Sequence, residues 1–254
     1  MRRNIVGAML GWSILACGGE RGGEADSRPA HSPPADPRPV VLFFGTSLTA
    51  GLGLDPEQAY PARIQEMMDS AGLRFRAVNA GVSGETSAAG LRRIEWLLAQ
   101  PVAVLVLELG ANDALRGQDL AAARDNLQAI IDRTRAAHPG VRVVIAGMEA
   151  PPNLGRRYTR EFRRLFVDLA RRNGAALIPF LLAGVAGVPE LNQADGIHPT
   201  AAGARIVAAN VWRVLEPVLR ELAAGDAGAA RPANANAAPV GTPRRVEVPR
   251  VVTA

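Results

Sequence analysis

The chain has 254 residues, just under half of them apolar, enough for one sizeable hydrophobic core. Its net charge is +5 and its pI about 10.7, yet residues 40–224 hold 20 arginines against 18 acidic residues, so that stretch is near neutral and does not read as a nucleic-acid binder. All 29 basic residues are arginine. With no lysine, both a Walker-type phosphate loop and a Schiff-base enzyme are excluded.

The N-terminus reads as an export signal. Arg2 and Arg3 precede an apolar stretch, residues 5–16, too short to span a bilayer as a helix and suited to a signal h-region. It ends in Ile14-Leu15-Ala16-Cys17, which resembles a bacterial lipoprotein signal whose cysteine carries the lipid. A plain secretory signal with an incidental cysteine is the alternative. Cys17 is the only cysteine, so there is neither an intramolecular disulfide nor a thiolate metal cluster. The expected organisation is a signal over 1–17, a disordered linker over 18–39, a folded domain over 40–224 and a disordered tail over 225–254. The linker is rich in Gly, Pro and Ser; the tail is mostly Ala, Pro, Arg and Asn without periodicity. A lipid on Cys17 and a flexible tether would hold the domain at a membrane surface, in the periplasm or cell envelope, without a spanning helix.

From residue 40 short apolar runs alternate with longer amphipathic ones. Residues 40–44 are an apolar run before a glycine, the pattern of a buried strand. Residues 59–70 read as a helix with Ile64, Met67 and Met68 on one face, and 75–78 as a second strand. A helix over 87–100 carries Leu91, Ile94, Leu97 and Leu98; the strand at 102–107 is the strongest in the chain. A long helix over 119–138, with Leu127, Ile130 and Ile131 inward, stops at His138-Pro139-Gly140. A strand at 141–146, an arginine-rich helix at 159–173, a short strand at 176–179 and a helix at 200–222 complete the series. Such alternation implies right-handed βαβ crossovers and a five-stranded parallel sheet with helices on both faces, a three-layer α/β/α fold. Sites in such sheets form at the carboxyl ends of the strands.

Of the three histidines, His31 falls in the linker and His138 in a helix stop, which leaves His198 as the candidate base. Asp195, three residues earlier across Gly196, is placed to reach the imidazole Nδ1–H; a loop aspartate beside a histidine at a helix start fits the same letters. Ser47 follows the first strand at a turn into a helix, where its hydroxyl and its N–H face one cavity; it also suits an N-cap serine. Ser83 and Ser87 are weaker rivals. Asn112 and Gly81 follow strands and suit oxyanion donors or ordinary turn residues. Glu108 and Glu149 are expected to satisfy buried backbone or loop groups, Arg156, Arg157, Arg160, Arg163 and Arg164 to form a solvated helix face, and Trp96 and Trp212 to lie in the core. No cluster has metal-ligand spacing, so a metal-free, cofactor-free site is expected.

Taken together, four blocks resemble the SGNH (GDSL-type) hydrolases, whose conserved blocks carry Ser, Gly, Asn and His in that order. They are Phe44-Gly45-Thr46-Ser47-Leu48-Thr49, Asn79-Ala80-Gly81-Val82-Ser83-Gly84, Gly110-Ala111-Asn112-Asp113 and Asp195-Gly196-Ile197-His198-Pro199. The similarity covers about residues 40–222, and Glu108-Leu109-Gly110 with Gln193-Ala194-Asp195 resemble the thioesterase/lysophospholipase/arylesterase branch. The resemblance implies a flavodoxin-like sheet, a Ser47–His198–Asp195 triad and an oxyanion hole from Ser47, Gly81 and Asn112. One departure stands out: where the family has Asp before the serine, this chain has Thr46, which keeps a local hydrogen-bonding hydroxyl and loses a charge. The expectation is a serine esterase acting on small or lipid-like carboxylic esters or thioesters. A carbohydrate O-acetyl esterase of the same fold and a non-catalytic ligand-binding lipoprotein are the alternatives. Residues 151–158 and 185–191 are expected to shape the substrate pocket.

Overall fold

The computed structural model describes residues 36–229. The signal, Cys17, His31, almost all of the linker and residues 230–254 lie outside the described residues.

Strand β1 (Val40–Gly45) is buried at every position, and β3 (Val102–Glu108) at all but one. Both can be apolar throughout because each is a central strand of a parallel sheet covered on both faces. Strands β2 (Arg76–Asn79) and β5 (Ala176–Ile178) are the edges, with β4 (Arg142–Ala146) inside β5; the order is β2-β1-β3-β4-β5, all parallel. The chain leaves β1 first toward β2 and later toward β3, so adjacent strand ends diverge at β1 and open a crevice there.

Seven α-helices are described. Helix α1 (Ser47–Ala50) is a single turn, and α2 (Tyr60–Ser70) packs against α7 (Ala201–Ala229) on one face. The other face carries α3 (Ser87–Leu97), α5 (Leu120–Ala137) and α6 (Arg156–Asn173); α4 (Ala111–Leu115) is again one turn. The apolar spacing places the expected residues inward: Ile64 and Met68 of α2, Ile94 and Leu97 of α3, Leu127, Ile130 and Ile131 of α5. The arginines of α6 lie on a solvated face, where Arg157, Arg164 and Arg171 pair with Glu161 and Asp168, and Arg163 reaches Glu149.

Three expectations are corrected. Helix α7 continues to Ala229, beyond the expected close of the helix at 222, through a stretch rich in alanine, a strong helix former. Helix α6 starts at Arg156, three residues early, directly after Gly155 at φ 85°. Trp96 is exposed rather than core: it stands two residues from Ile94, and a helix turns such a neighbour away from the buried face.

Leu105 at the centre of β3 is fully buried. Leu105→Ala is expected to lower stability by about 2–5 kcal/mol in urea unfolding, since the rigid sheet around it cannot collapse into the space left.

Candidate active site

At the carboxyl end of β1 the chain passes through Gly45 to Thr46, the extended N-cap of α1. Thr46 Oγ1 accepts from the Leu48 N–H at 3.4 Å, so the residue before the serine does keep a local hydrogen bond. Ser47 occupies the first position of α1, where backbone N–H groups have no intrahelical acceptor; its own N–H has no partner among the described residues. Its Oγ lies 2.8 Å from His198 Nε2.

His198 arrives from 151 positions along the chain, on a tight loop before α7. Gly196, at φ 69°, permits the turn, and Gln193 and His198 close it through the Gln193 N–H to His198 carbonyl bond at 2.7 Å. Asp195 Oδ2 meets His198 Nδ1 at 2.6 Å, while its Oδ1 accepts the N–H groups of His198 and Ile197 at 3.0 and 2.9 Å. The His198 backbone and imidazole bonds, then the Ile197 N–H, hold the Asp195 carboxyl well below the usual carboxylate range. Gln193 ties the loop to the segment after Ser47: its amide donates to the carbonyls of Leu52 and Pro199 at 2.7 and 2.9 Å. Ser47, His198 and Asp195 are therefore brought into one hydrogen-bonded chain.

Gly81 follows β2 and lies directly against α1; a Cβ there would collide with the backbone of Thr49 and Ala50. Its N–H is engaged, donating to Asn79 Oδ1 at 3.0 Å. Asn112, in α4 just past β3, donates one amide proton to the Glu85 carbonyl at 3.0 Å, which leaves the second proton of the amide for another acceptor. The neighbouring Asp113 is buried and binds the Ser87 hydroxyl and N–H at 2.6 and 2.8 Å. Ser87 is thus a structural residue anchoring α3 to α4, and Ser83 is an exposed turn residue. His138 contacts the Leu98 carbonyl, in keeping with a helix-end role.

Under the Ser47 turn Glu108 is wholly buried, with hydrogen bonds from Thr46 and Thr49. Burial pushes its pKa up to about 7, against the opposing effect of those donors.

Beside Ser47 and His198 is a shallow apolar recess, open to solvent, with a cavity volume of only about 10 Å³. Its walls include Leu48, Leu52, Leu54, Tyr60, Leu182 and Val207. The segments 151–158 and 185–191, expected to shape the pocket, do not line this recess: Val185 is buried in the core, and Tyr158 reaches Gln118 instead. Part of the lining comes from the loop after α1, where Gly51 and Gly53 both adopt positive φ; that pair of glycines is the sequence signal that could have pointed to this part.

A doubly wound parallel sheet with a Ser–His–Asp chain at its carboxyl edge defines the class of serine acyl hydrolases built on a three-layer α/β/α fold. Residues 43–206 match the GDSL-like Lipase/Acylhydrolase family, and the chain belongs to it. It is 43% identical over 181 residues to Esterase TesA of Pseudomonas aeruginosa, covering 71% of this chain and 89% of that one. It is 34% identical over 182 residues to Thioesterase 1/protease 1/lysophospholipase L1 of Escherichia coli, covering 71% and 85%. The crystal structure of TesA superposes with a TM-score of 0.67 at 42% identity, covering 70% of this chain and 98% of that one. The chain is an enzyme of this hydrolase family, and serine esterase chemistry fits both its relatives and its geometry.

The raised Glu108 carboxyl makes stability pH-dependent. Relative to an unfolded value of 4.5 the folded state holds the extra proton, so this contribution is fully present below about pH 4.5 and is lost as pH rises through about 7. Between those values wild type is expected to lose on the order of 3 kcal/mol relative to Glu108→Gln, which cannot titrate. Urea unfolding of both proteins across this range measures the difference.

Proposed function

We propose that the protein is a serine esterase that cleaves small or lipid-like carboxylic esters or thioesters through an acyl-enzyme on Ser47. The observation that carries this reading is the unbroken chain from Ser47 Oγ through the His198 ring to Asp195. Asp195, ionised well into the acid range, accepts from Nδ1–H and so leaves the Nε2 lone pair toward the serine. Ser47 Oγ attacks the carbonyl carbon as Nε2 takes its proton. The free Ser47 N–H and the second amide proton of Asn112 receive the oxyanion; Gly81 joins them by sharing or releasing its bond to Asn79. His198 then protonates the leaving alcohol or thiol, and water, activated by the same nitrogen, releases the acid. The apolar walls of the recess give a hydrophobic part of the substrate a surface to pack against next to the reacting bond.

The N-terminal sequence supports a second element of this reading: export under a signal ending at Cys17, lipidation of that cysteine, and tethering of the enzyme to a membrane surface. Among the described residues no helix is long and apolar enough to cross a membrane.

Hydrolysis of a short aryl ester by the purified protein tests the chemistry. Ser47→Ala is expected to lower kcat by on the order of 10³-fold or more, and Asn112→Ala by about 10²–10³-fold. A Ser47→Ala protein as active as wild type would overturn the assignment. For the anchor, Cys17→Ser is expected to abolish incorporation of labelled palmitate and to release the enzyme from the membrane fraction.

A further inference from the structure

Glu108 ends β3 directly across from Gly45, the last residue of β1. Its carboxylate accepts the Thr46 N–H at 2.8 Å, the Thr46 hydroxyl at 3.0 Å from both oxygens, and the Thr49 hydroxyl at 2.8 Å. The two threonines flank Ser47, one before it and one two residues after. A Cβ on Gly45 would stand 2.5 Å from Glu108 Oε2, so the approach of the acid to the turn requires a glycine there. No arginine or histidine side chain bonds to Glu108 among the described residues. The charge is held by hydrogen-bond donors of the nucleophile turn alone.

We propose that Glu108 is a positioning residue for the reaction, whose ionised carboxylate gathers the donors of Thr46 and Thr49 and so aims Ser47 Oγ at His198. This rests on the assignment of Ser47 as the nucleophile. An ionised carboxylate accepts from all three donors at once. A neutral acid carries a proton of its own and must donate it, so one threonine hydroxyl has to turn away. The Thr49 hydroxyl has somewhere to turn, because Tyr60 Oη lies 2.8 Å away and either oxygen can donate. The turn therefore has two hydrogen-bond arrangements that differ by one proton.

The groups around the acid set its response. From β1 it faces Gly45, and from the turn into α1 only hydroxyls and an amide. From α2 it faces Tyr60, whose hydroxyl is pushed above the tyrosine range by burial and then by the Glu108 charge. His198 stands on the far side of the turn, reached through Ser47. Efficient attack then needs two groups deprotonated, His198 as base and Glu108 as brace, and burial brings the second into the neutral range.

The test is kcat/KM for a neutral aryl ester from about pH 5 to about pH 9, with the rate of phosphonate labelling of Ser47 as a second readout. Wild type is expected to show an acid limb steeper by one ionisation than that of Glu108→Gln, whose kcat should lie roughly tenfold below wild type on the plateau with KM within about twofold. Thr49→Val, close to isosteric, removes a donor that favours the carboxylate, so its limb should keep both ionisations and move to higher pH. A Glu108→Gln profile that superposes on wild type after scaling would overturn the proposal. If that variant does not fold, Thr49→Val decides: a displaced limb supports the proposal and an unmoved one sinks it. Absent labelling of wild type together with full activity in Ser47→Ala would remove the nucleophile, and the proposal with it; labelled Ser47 with unmoved profiles removes the proposal alone.

Discussion

A carboxyl group enclosed in protein with no cation against it must be solvated by donors drawn from the fold, and the turn carrying Ser47 in this hydrolase is organised around that requirement. Glu108 takes a backbone N–H and two hydroxyls within a few residues of Ser47. The surrounding choices follow. Gly45 leaves room for the acid, Thr49 links it to Tyr60, and Thr46 both caps α1 and donates to it. The last of these is where the chain departs from the family pattern, and the threonine hydroxyl there serves as both cap and donor.

The other half of the site is made differently. The Asp195–His198 loop has little core of its own; backbone bonds across the loop, the carboxylate capping two N–H groups and the Gln193 amide give it shape. One half is rigid because it is buried in the sheet, the other because short-range polar contacts close on themselves. The hydrogen bond between Ser47 and His198 joins the first and last segments of the domain, so it can form only once the whole sheet is assembled.

The alternation of apolar runs and amphipathic stretches was enough to read the layers, since β1 and β3 are apolar at nearly every position and the helices keep a 3.6-residue stripe. Ser47, Asp195 and His198 were legible because few residues of the right chemistry compete with them; the structure then brings them together. Features set by three-dimensional proximity were not legible. The single-turn helices α1 and α4 are too short for a periodic signal. Leu182 and Val207 reach the recess from distant segments. The Gly81 N–H, free on paper, is taken up by a side chain two residues away. Glu108 could be read as a buried acid serving loop groups, but which groups it serves depends on the β1–β3 register.

Gln193 has one amide with both protons committed, one to the carbonyl of Leu52 and the other to that of Pro199. Leu52 is also a wall of the recess, and Pro199 follows the histidine. Any group that pushes on this wall is thus felt, through a single planar amide, by the segment carrying His198. Discrimination among substrates by the bulk they place in the recess should then be expressed in turnover more than in affinity, because what a misfit disturbs is the alignment of proton transfer rather than the contact itself.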